Sequence, residues 1–330
     1  MSQEPIALSV VVPVYNGARS IGDLVGALET LEIPGGIEII LVNDCSRDGS
    51  LAVCRDLLAK ARVPMIVVNL ARNSGEHNAV LTGLRQTRGA HVITMDDDLQ
   101  NPPGEVARLL RYAQSSGADV VYTYYAEKQH ALWRNLGSHF TNRVANLLLD
   151  KPRDLYLSSF RCMSAFLVEQ IVRYSGPFPY IDGLILQATQ SIDRIEVAHL
   201  PRATGRSNYN FRRLTRLWLN MFVNFSVMPL RLSTFAGFAL SVLGALGTLW
   251  VIGEALVSET PPGWASLSVA VLLLSGVQLV ILGLIGEYLG RLYLTLNGKP
   301  QAVIRGIERN QASERVEDLE AARQRAGRRG

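Results

Sequence analysis

Apolar runs and helical patterns take turns along the first ~125 residues, the arrangement expected of βαβ units around a largely parallel sheet. Strands are predicted at Ala7–Val14, Ile37–Val42, Met65–Asn69, His91–Met95 and Asp119–Tyr124. Helices are predicted between them at Ser20–Leu31, Ser50–Ala61, Glu76–Thr87 and Val106–Ser116. The strands read as near-continuous Val, Ile and Leu, which suits strands covered on both faces. From about Glu127 to Leu200 the pattern is mixed. Leu132–Leu149 reads as an amphipathic helix, Ala165–Tyr174 and Leu184–Ser191 as helices, and Ser158–Cys162 and Arg194–His199 as short strands.

After Pro201 the pattern changes. Arg212, Arg213 and Arg216 alternate with Phe211, Leu214, Leu217, Trp218, Leu219, Phe222 and Phe225. Such a mixture suits a helix lying in a membrane interface, and also an amphipathic helix on a protein core. The stretches that follow, Leu232–Val257 and Trp264–Leu289, favour the interface. Each is ~26 residues, or ~39 Å as a helix, enough to span a ~30 Å hydrocarbon layer with some tilt. Their short connector, Ser258–Gly263, has no Lys or Arg, whereas Arg231 precedes the pair and Arg291, Lys299 and Arg305 follow it. The positive-inside rule then places both termini in the cytoplasm. The expected organisation is a catalytic domain at 1–210, interfacial helices at 211–231, a transmembrane hairpin at 232–291 and a cytosolic tail at 292–330. The tail from Glu308 is dense in Glu and Arg and reads as solvated helix or disordered chain.

Composition sharpens this reading. Of 330 residues, 48% are hydrophobic, high for a soluble enzyme, and the excess lies between Leu232 and Leu289. Three scattered cysteines (Cys45, Cys54, Cys162) suit a reduced compartment and offer neither a disulfide framework nor a zinc site. The N-terminal residues lack a signal-peptide pattern. A net charge of +4, without a basic-aromatic stripe outside the membrane-proximal stretch, gives no case for nucleic acid.

The chemistry concentrates at predicted strand ends. The run Met95-Asp96-Asp97-Asp98-Leu99-Gln100-Asn101-Pro102-Pro103 sets three carboxylates between a strand and a helix. Carboxylates this close repel, so a cation belongs beside them, and hard divalent cations take oxygen ligands while binding substrate phosphates. Taken alone, the run also fits a solvated loop with one helix cap. Pro13, Tyr15 and Asn16 end the first strand, Asp44 the second, and Arg72 follows the third. In a parallel sheet these ends share one edge, where ligands gather. There Asp44 could accept from a flat base and Tyr15 pack against it; a turn residue fits Asp44 equally.

Val11-Val12-Pro13-Val14-Tyr15-Asn16, Val42-Asn43-Asp44, the acidic run through Pro103, and Gly286-Glu287-Tyr288-Leu289-Gly290-Arg291 together resemble the family 2 glycosyltransferases. The likeness is to the polyprenyl-phosphate branch, which includes dolichyl-phosphate mannose synthases and bacterial undecaprenyl-phosphate glycosyltransferases, and it extends over roughly Leu8 to Leu296. The resemblance implies a GT-A fold, a Rossmann-like α/β domain with a mostly parallel sheet, carrying a C-terminal transmembrane hairpin. It implies a nucleotide-sugar donor, UDP-linked ahead of GDP-linked, a polyprenyl-phosphate acceptor, and Mn²⁺ or Mg²⁺. It further implies a bacterial inner-membrane protein and a homo-oligomer, with a tetramer as the form suggested by membrane-anchored relatives.

Residue by residue, the resemblance gives Asp96, Asp98 and Gln100 to the metal, Asp96, Asp97 and Asp98 to catalysis, and Pro13, Tyr15, Asn16, Asp44 and Arg72 to the donor nucleotide. It gives Arg134 and Ser138, one turn apart on a predicted helix, to the acceptor phosphate. Arg202, Arg206 and Ser207 join them from a segment matching Arg-x-x-Gly-x-Ser-Lys-Tyr, in which Asn208 replaces the lysine. Ser159-Phe160-Arg161 also fits a family segment, with no role implied for Arg161. The expected reaction inverts the anomeric carbon. An acceptor phosphate with a second pKa near ~6 is already largely anionic, so the work is positioning and charge stabilisation. The alternative is a membrane-anchored nucleotide-sugar scaffold or sensor. A processive synthase is disfavoured because Gln129-His130-Ala131-Leu132-Trp133 lacks the arginine of Gln-x-x-Arg-Trp, and a dehydrogenase because Pro13–Arg19 is no Gly-x-Gly-x-x-Gly loop.

Overall fold

A computed structural model of the protein describes residues 6–125, 155–176, 179–198, 263–297, 300 and 302–313, with helical positions 235, 238, 239, 242 and 246. The chain divides into two compact units, Met1–Tyr209 with Pro300–Gly330, and Asn210–Lys299.

In the first unit, β1 (Leu8–Val14), β2 (Ile37–Asn43), β3 (Met65–Leu70) and β4 (His91–Thr94) alternate with α1 (Ile21–Glu29), α2 (Ser50–Lys60) and α3 (Glu76–Leu84). Then come α4 (Gly104–Ser116), β5 (Val120–Tyr124), β6 (Arg161–Ser164), α5 (Ala165–Ile171), α6 (Ile181–Ala188) and β7 (Ile192–Glu196). After α7 (Trp264–Leu296), β8 (Ile304–Arg309) returns to the sheet. The strand order is β7-β5-β6-β4-β1-β2-β3-β8. Pairs among β1, β2, β3 and β4 are parallel, as is β5 with β7, whereas β6 runs antiparallel to both neighbours and β8 antiparallel to β3.

The sheet is covered on both faces, as the unbroken apolar strands require. Val10, Val12, Ile39, Leu41 and Val67 pack into one core with Leu24 and Leu28 of α1, Cys54 of α2, and Val106 and Leu109 of α4. The opposite face meets α3. A Cβ at Gly83 would stand 2.5 Å from Val11 Cγ1 and 2.9 Å from Val42 Cγ2, so the missing side chain is what lets this helix lie down on β1 and β2. Each fully buried aliphatic side chain in these layers is worth about 1.5–3 kcal/mol.

Buried Glu38 interrupts the apolar pattern of β2 and is fully partnered. Ser9 Oγ donates to it at 2.6 Å, and the Arg88 backbone N–H and guanidinium each donate at 2.7 Å. The same guanidinium donates to the Ser313 carbonyl at 3.0 Å, tying the residues just after the last strand to this cluster. The sequence reading gave Ile304–Ile307 no element and placed the chain from Glu308 in a solvated helix or disordered tail. Instead Ile304–Arg309 is β8, and Arg55 donates two hydrogen bonds to Glu308 Oε1, at 2.9 and 2.7 Å. The segment is too polar to announce itself as a strand, because an edge strand buries little.

Other predicted elements are found with shifted ends. The strand expected at Ser158–Cys162 is Arg161–Ser164, the helix expected at Leu184–Ser191 begins at Ile181, and the strand expected at Arg194–His199 is Ile192–Glu196. The helix expected at Leu132–Leu149 and the interfacial segment at 211–231 lie outside the described residues. In the second unit, α7 is 33 residues long. Among the described residues no helix is long and apolar enough to cross a membrane. Leu267, Val271, Leu274, Leu282, Ile285 and Leu289 of α7 are exposed.

Candidate active site

The chain order around β1 decides where a ligand can sit. From β1 the chain steps outward to β2 and β3, then crosses back to place β4 on the other side of β1. The connections after β1 and β4 therefore diverge and open a crevice at the carboxyl ends of the strands. Tyr15, Asn16 and Gly17 leave β1 on one side of it, and Asp96, Asp97 and Asp98 leave β4 on the other.

The loops on the β1–β2 side are held largely by main chain. Asp44, only 3% exposed, accepts the Ser74 N–H at 2.7 Å and the Gly75 N–H at 2.9 Å, one on each oxygen. Burial pushes its pKa up, and the two amides offset only part of that rise. A carboxylate has about four acceptor positions, so these two bonds leave capacity for a ligand N–H. Asn16 accepts the Arg47 N–H at 2.9 Å and donates its own N–H to Ser46 Oγ at 3.1 Å. Asp48 accepts the Ala18 N–H at 3.2 Å, which laces the β1 and β2 loops together. Among the described residues, three non-glycine residues adopt the left-handed region: Asn16 (φ 57°), Cys45 (φ 53°) and Leu99 (φ 60°). All three stand in loops at this edge, and such backbone strain clusters at functional sites. Pro13 is half-buried, and Tyr15 is 40% exposed and available to a flat ligand. Arg72 is exposed at the rim and donates to the Pro300 carbonyl at 3.1 Å.

The acidic run is organised differently. Asp96, Asp97 and Asp98 are each half-buried. Asp96 Oδ2 accepts from Ser159 Oγ at 2.7 Å. Asp97 is turned toward the β1 loop: a Cβ on Gly17 would stand 1.9 Å from its Oδ2, so only glycine leaves room for it. Asp98 accepts the Gln100 N–H at 3.2 Å, closing a tight turn around Leu99, and Gln100 is half-buried. Buried Asn101 accepts from Tyr125 Oη at 3.0 Å and anchors the exit toward α4. Among the described residues no three His, Cys, Asp or Glu side chains form a ready-made metal cage. The donor set still fits a hard cation, since Mg²⁺-type sites commonly use one or two carboxylates and complete their shell with substrate phosphates and water.

Several residues that sequence reading left unassigned close the floor of the cleft. Arg161 on β6 and Asp182 on α6 form a buried ion pair, and Tyr122 Oη donates to Asp182 Oδ1 at 2.9 Å. The Arg161 guanidinium lies 5.7 Å from the Tyr122 ring centroid. Glu76 opens α3 after Gly75 (φ 89°) and stands near Asp96, Asp97 and Asp182. Lost hydration, and then repulsion from Asp96, push its pKa up to about 7. His77 beside it packs edge-on against Tyr180 at 5.0 Å, and burial lowers its pKa to about 4, so it is neutral at pH 7. The lone arginine in the apolar run Phe160-Arg161-Cys162-Met163 was the available signal for Arg161. Glu76 and Asp182 carried none, because their neighbours come from distant segments. Arg134, Ser138, Arg202, Arg206 and Ser207 lie outside the described residues.

A family model described as Glycosyl transferase family 2 matches residues 9–172. A protein of Pseudomonas aeruginosa (strain LESB58) named undecaprenyl-phosphate 4-deoxy-4-formamido-L-arabinose transferase is 35% identical, over 99% of this chain and 97% of its own. A protein of the same name from Yersinia pestis (strain Pestoides F) is 31% identical, over 96% of this chain and 98% of its own. Among solved structures, glucosyl-3-phosphoglycerate synthase from Mycobacterium tuberculosis, crystallised with Mn²⁺, UDP-glucose and phosphoglyceric acid, aligns with a TM-score of 0.49 at 17% identity. That alignment covers 66% of this chain and 77% of the other.

Proposed function

The chain belongs to glycosyl transferase family 2, and from that premise we propose that it moves a sugar from a UDP-sugar to undecaprenyl phosphate, with inversion, at the cytosolic face of a bacterial inner membrane. The reaction class is glycosyl transfer to a polyprenyl phosphate, the class of relatives matched over nearly the whole chain. The observation that carries the finer reading is the shared strand-end edge around β1, with Tyr15 and Asp44 following β1 and β2 on one side and the acidic run following β4 on the other.

In this reading Pro13, Tyr15 and Asn16 hold the donor nucleotide while Asp44 accepts from its base and Arg72 closes the rim. Asp96, Asp98 and Gln100 would hold Mn²⁺ or Mg²⁺ against the donor's diphosphate, where the ion supplies neutralisation of the charge that grows on the leaving group. Asp97, turned toward Gly17, braces the acidic turn against the β1 loop. Arg134, Ser138, Arg202, Arg206 and Ser207 hold the acceptor phosphate; guanidinium forks suit phosphate bidentately, and several cations are needed where two anions meet. An acceptor phosphate oxygen attacks the anomeric carbon from the face opposite the departing diphosphate. The new C–O bond forms as the bond to the β-phosphate oxygen breaks, and UDP leaves with that electron pair. No protein base is required, because the acceptor arrives as an anion.

A membrane hairpin at Leu232–Val257 and Trp264–Leu289 belongs to the same proposal. Two observations support it. The described apolar side chains of α7 are exposed along its length. Moreover β8 follows α7 and pairs with β3, so a chain that enters a membrane after the catalytic unit must cross an even number of times.

A donor screen tests the reading. Detergent-purified protein is incubated with undecaprenyl phosphate, Mn²⁺ or Mg²⁺, and UDP- and GDP-sugars. The UDP-linked 4-deoxy-4-formamido-L-arabinose suggested by the relatives' name goes first. The expected result is a glycosylated lipid seen by mass spectrometry, lost in EDTA and reduced at least about 10²–10³-fold by Asp96→Asn. Stabilisation by a nucleotide sugar without product from any donor would favour a scaffold instead.

A further inference from the structure

Asp96 is held by a side chain that no role has been given. β4 and β6 are antiparallel with Thr94 opposite Arg161, so continuing that register by two residues brings Ser159 directly across from Asp96. Ser159 Oγ donates to Asp96 Oδ2 at 2.7 Å, a charge-assisted bond. The serine is itself fixed from several directions. Thr94 Oγ1 donates to the Ser159 carbonyl at 2.6 Å, and Thr123 Oγ1 donates to the next carbonyl, of Phe160, at 2.7 Å. Ser158 Oγ accepts the Phe160 N–H at 3.2 Å, and Phe160 itself is fully buried. Two residues on, Arg161 is locked by its buried pair with Asp182.

We propose that Ser159 is a positioning residue for Asp96: it sets the rotation of the carboxylate. With Oδ2 tied to a rigid wall, the direction of Oδ1 is set as well. Groups that orient a metal-binding carboxylate typically alter metal affinity or activity about 10- to 100-fold when removed. The inference rests on the proposed role of Asp96 and assigns the serine no contact with substrate.

The test compares Ser159→Val with Ser159→Thr in the full-length, detergent-purified protein. The two side chains match in shape and differ in the hydroxyl, so a packing defect would appear in both. Binding of Mn²⁺ in the presence of UDP is read from the free-ion electron paramagnetic resonance signal, beside kcat and the metal midpoint of turnover. The expected result is a Thr variant within about threefold of wild type and a Val variant weakened about 10- to 100-fold in Mn²⁺ affinity, with equal melting temperatures for the two. Equal Mn²⁺ affinity in the Val and Thr variants overturns the proposal. Asp96→Asn in the same assay keeps the two levels apart: full activity there would remove the role of Asp96 itself, whereas an inactive Asp96→Asn beside a normal Val variant would remove only the role of Ser159.

Discussion

The two lips of the cleft are held by different means. On the β1–β2–β3 side, Asp44 is gripped by two backbone amides, and Asn16 and Asp48 are bound to backbone N–H groups of neighbouring loops. On the β4–β6–β5 side, Asp96 is held by a serine hydroxyl and the floor by the Arg161–Asp182–Tyr122 cluster. Main-chain donors are present whatever the local sequence, so the first lip depends on loop shape. Side-chain partners must be encoded one by one, so the second lip depends on residue identity. Substitutions on the second lip should therefore strike folding and chemistry directly, and those on the first should strike donor affinity.

The largest effect is expected at Asp182. Asp182→Ala strands the buried Arg161 guanidinium, and removing one partner of a buried pair costs about 3–5 kcal/mol. Urea unfolding measures it, and a loss below about 1 kcal/mol would show that the floor does not rely on the pair.

Gly17→Ala joins the two lips, since the new methyl would fall where Asp97 Oδ2 now lies. Overpacking of this kind costs about 1–3 kcal/mol, and the displaced carboxylate should lower kcat more than it raises donor KM. Steady-state kinetics separate the two parameters; unchanged kcat would dissociate Asp97 from the acidic turn.

Asp44→Asn probes the first lip alone. An amide has one acceptor oxygen, so one of the Ser74 and Gly75 N–H groups loses its acceptor, at about 1–3 kcal/mol. Donor KM should rise about tenfold or more with kcat nearly intact. A fall in kcat at constant KM would place Asp44 in the chemistry.

The smallest effect is a pH dependence at Glu76. Its pKa of about 7 in the folded protein lies above its ordinary value of 4.5, so the folded state binds more proton than the unfolded state between these values. Its contribution is fully present below about pH 4.5 and is lost as pH rises through about 7. Melting temperatures taken in EDTA from pH 5 to 8 should show Glu76→Gln gaining on wild type toward pH 8. Parallel curves would count against crowding at this carboxylate.

The division between the lips also governed what could be read from sequence. β1, β2 and β3 were legible because their apolar runs must be buried on both faces, and Asp96–Gln100 because three adjacent carboxylates followed by two prolines are rare without a purpose. Strand ends moved by a residue or two where a turn competed with the ladder, as at Asn43 and Met95. β8 was missed because its residues are mostly charged or half-exposed, and nothing local distinguishes such an edge strand from solvated tail. Glu76 was missed as a member of the site because only the fold brings it near Asp96.

Local pattern alone determined the alternation of strands and helices, the edge where the chemistry gathers and the family to which the chain belongs. Each of these depends on residues close together in the chain or repeated with a fixed period. Tertiary structure alone decided that β6 runs antiparallel beside β4, that Ser159 meets Asp96 from 63 residues away, and that Arg161 finds its counter-charge on α6. The physical reason is that a hydrogen bond or ion pair between distant segments leaves no periodic trace, and its partners are chosen only once the chain has closed around them.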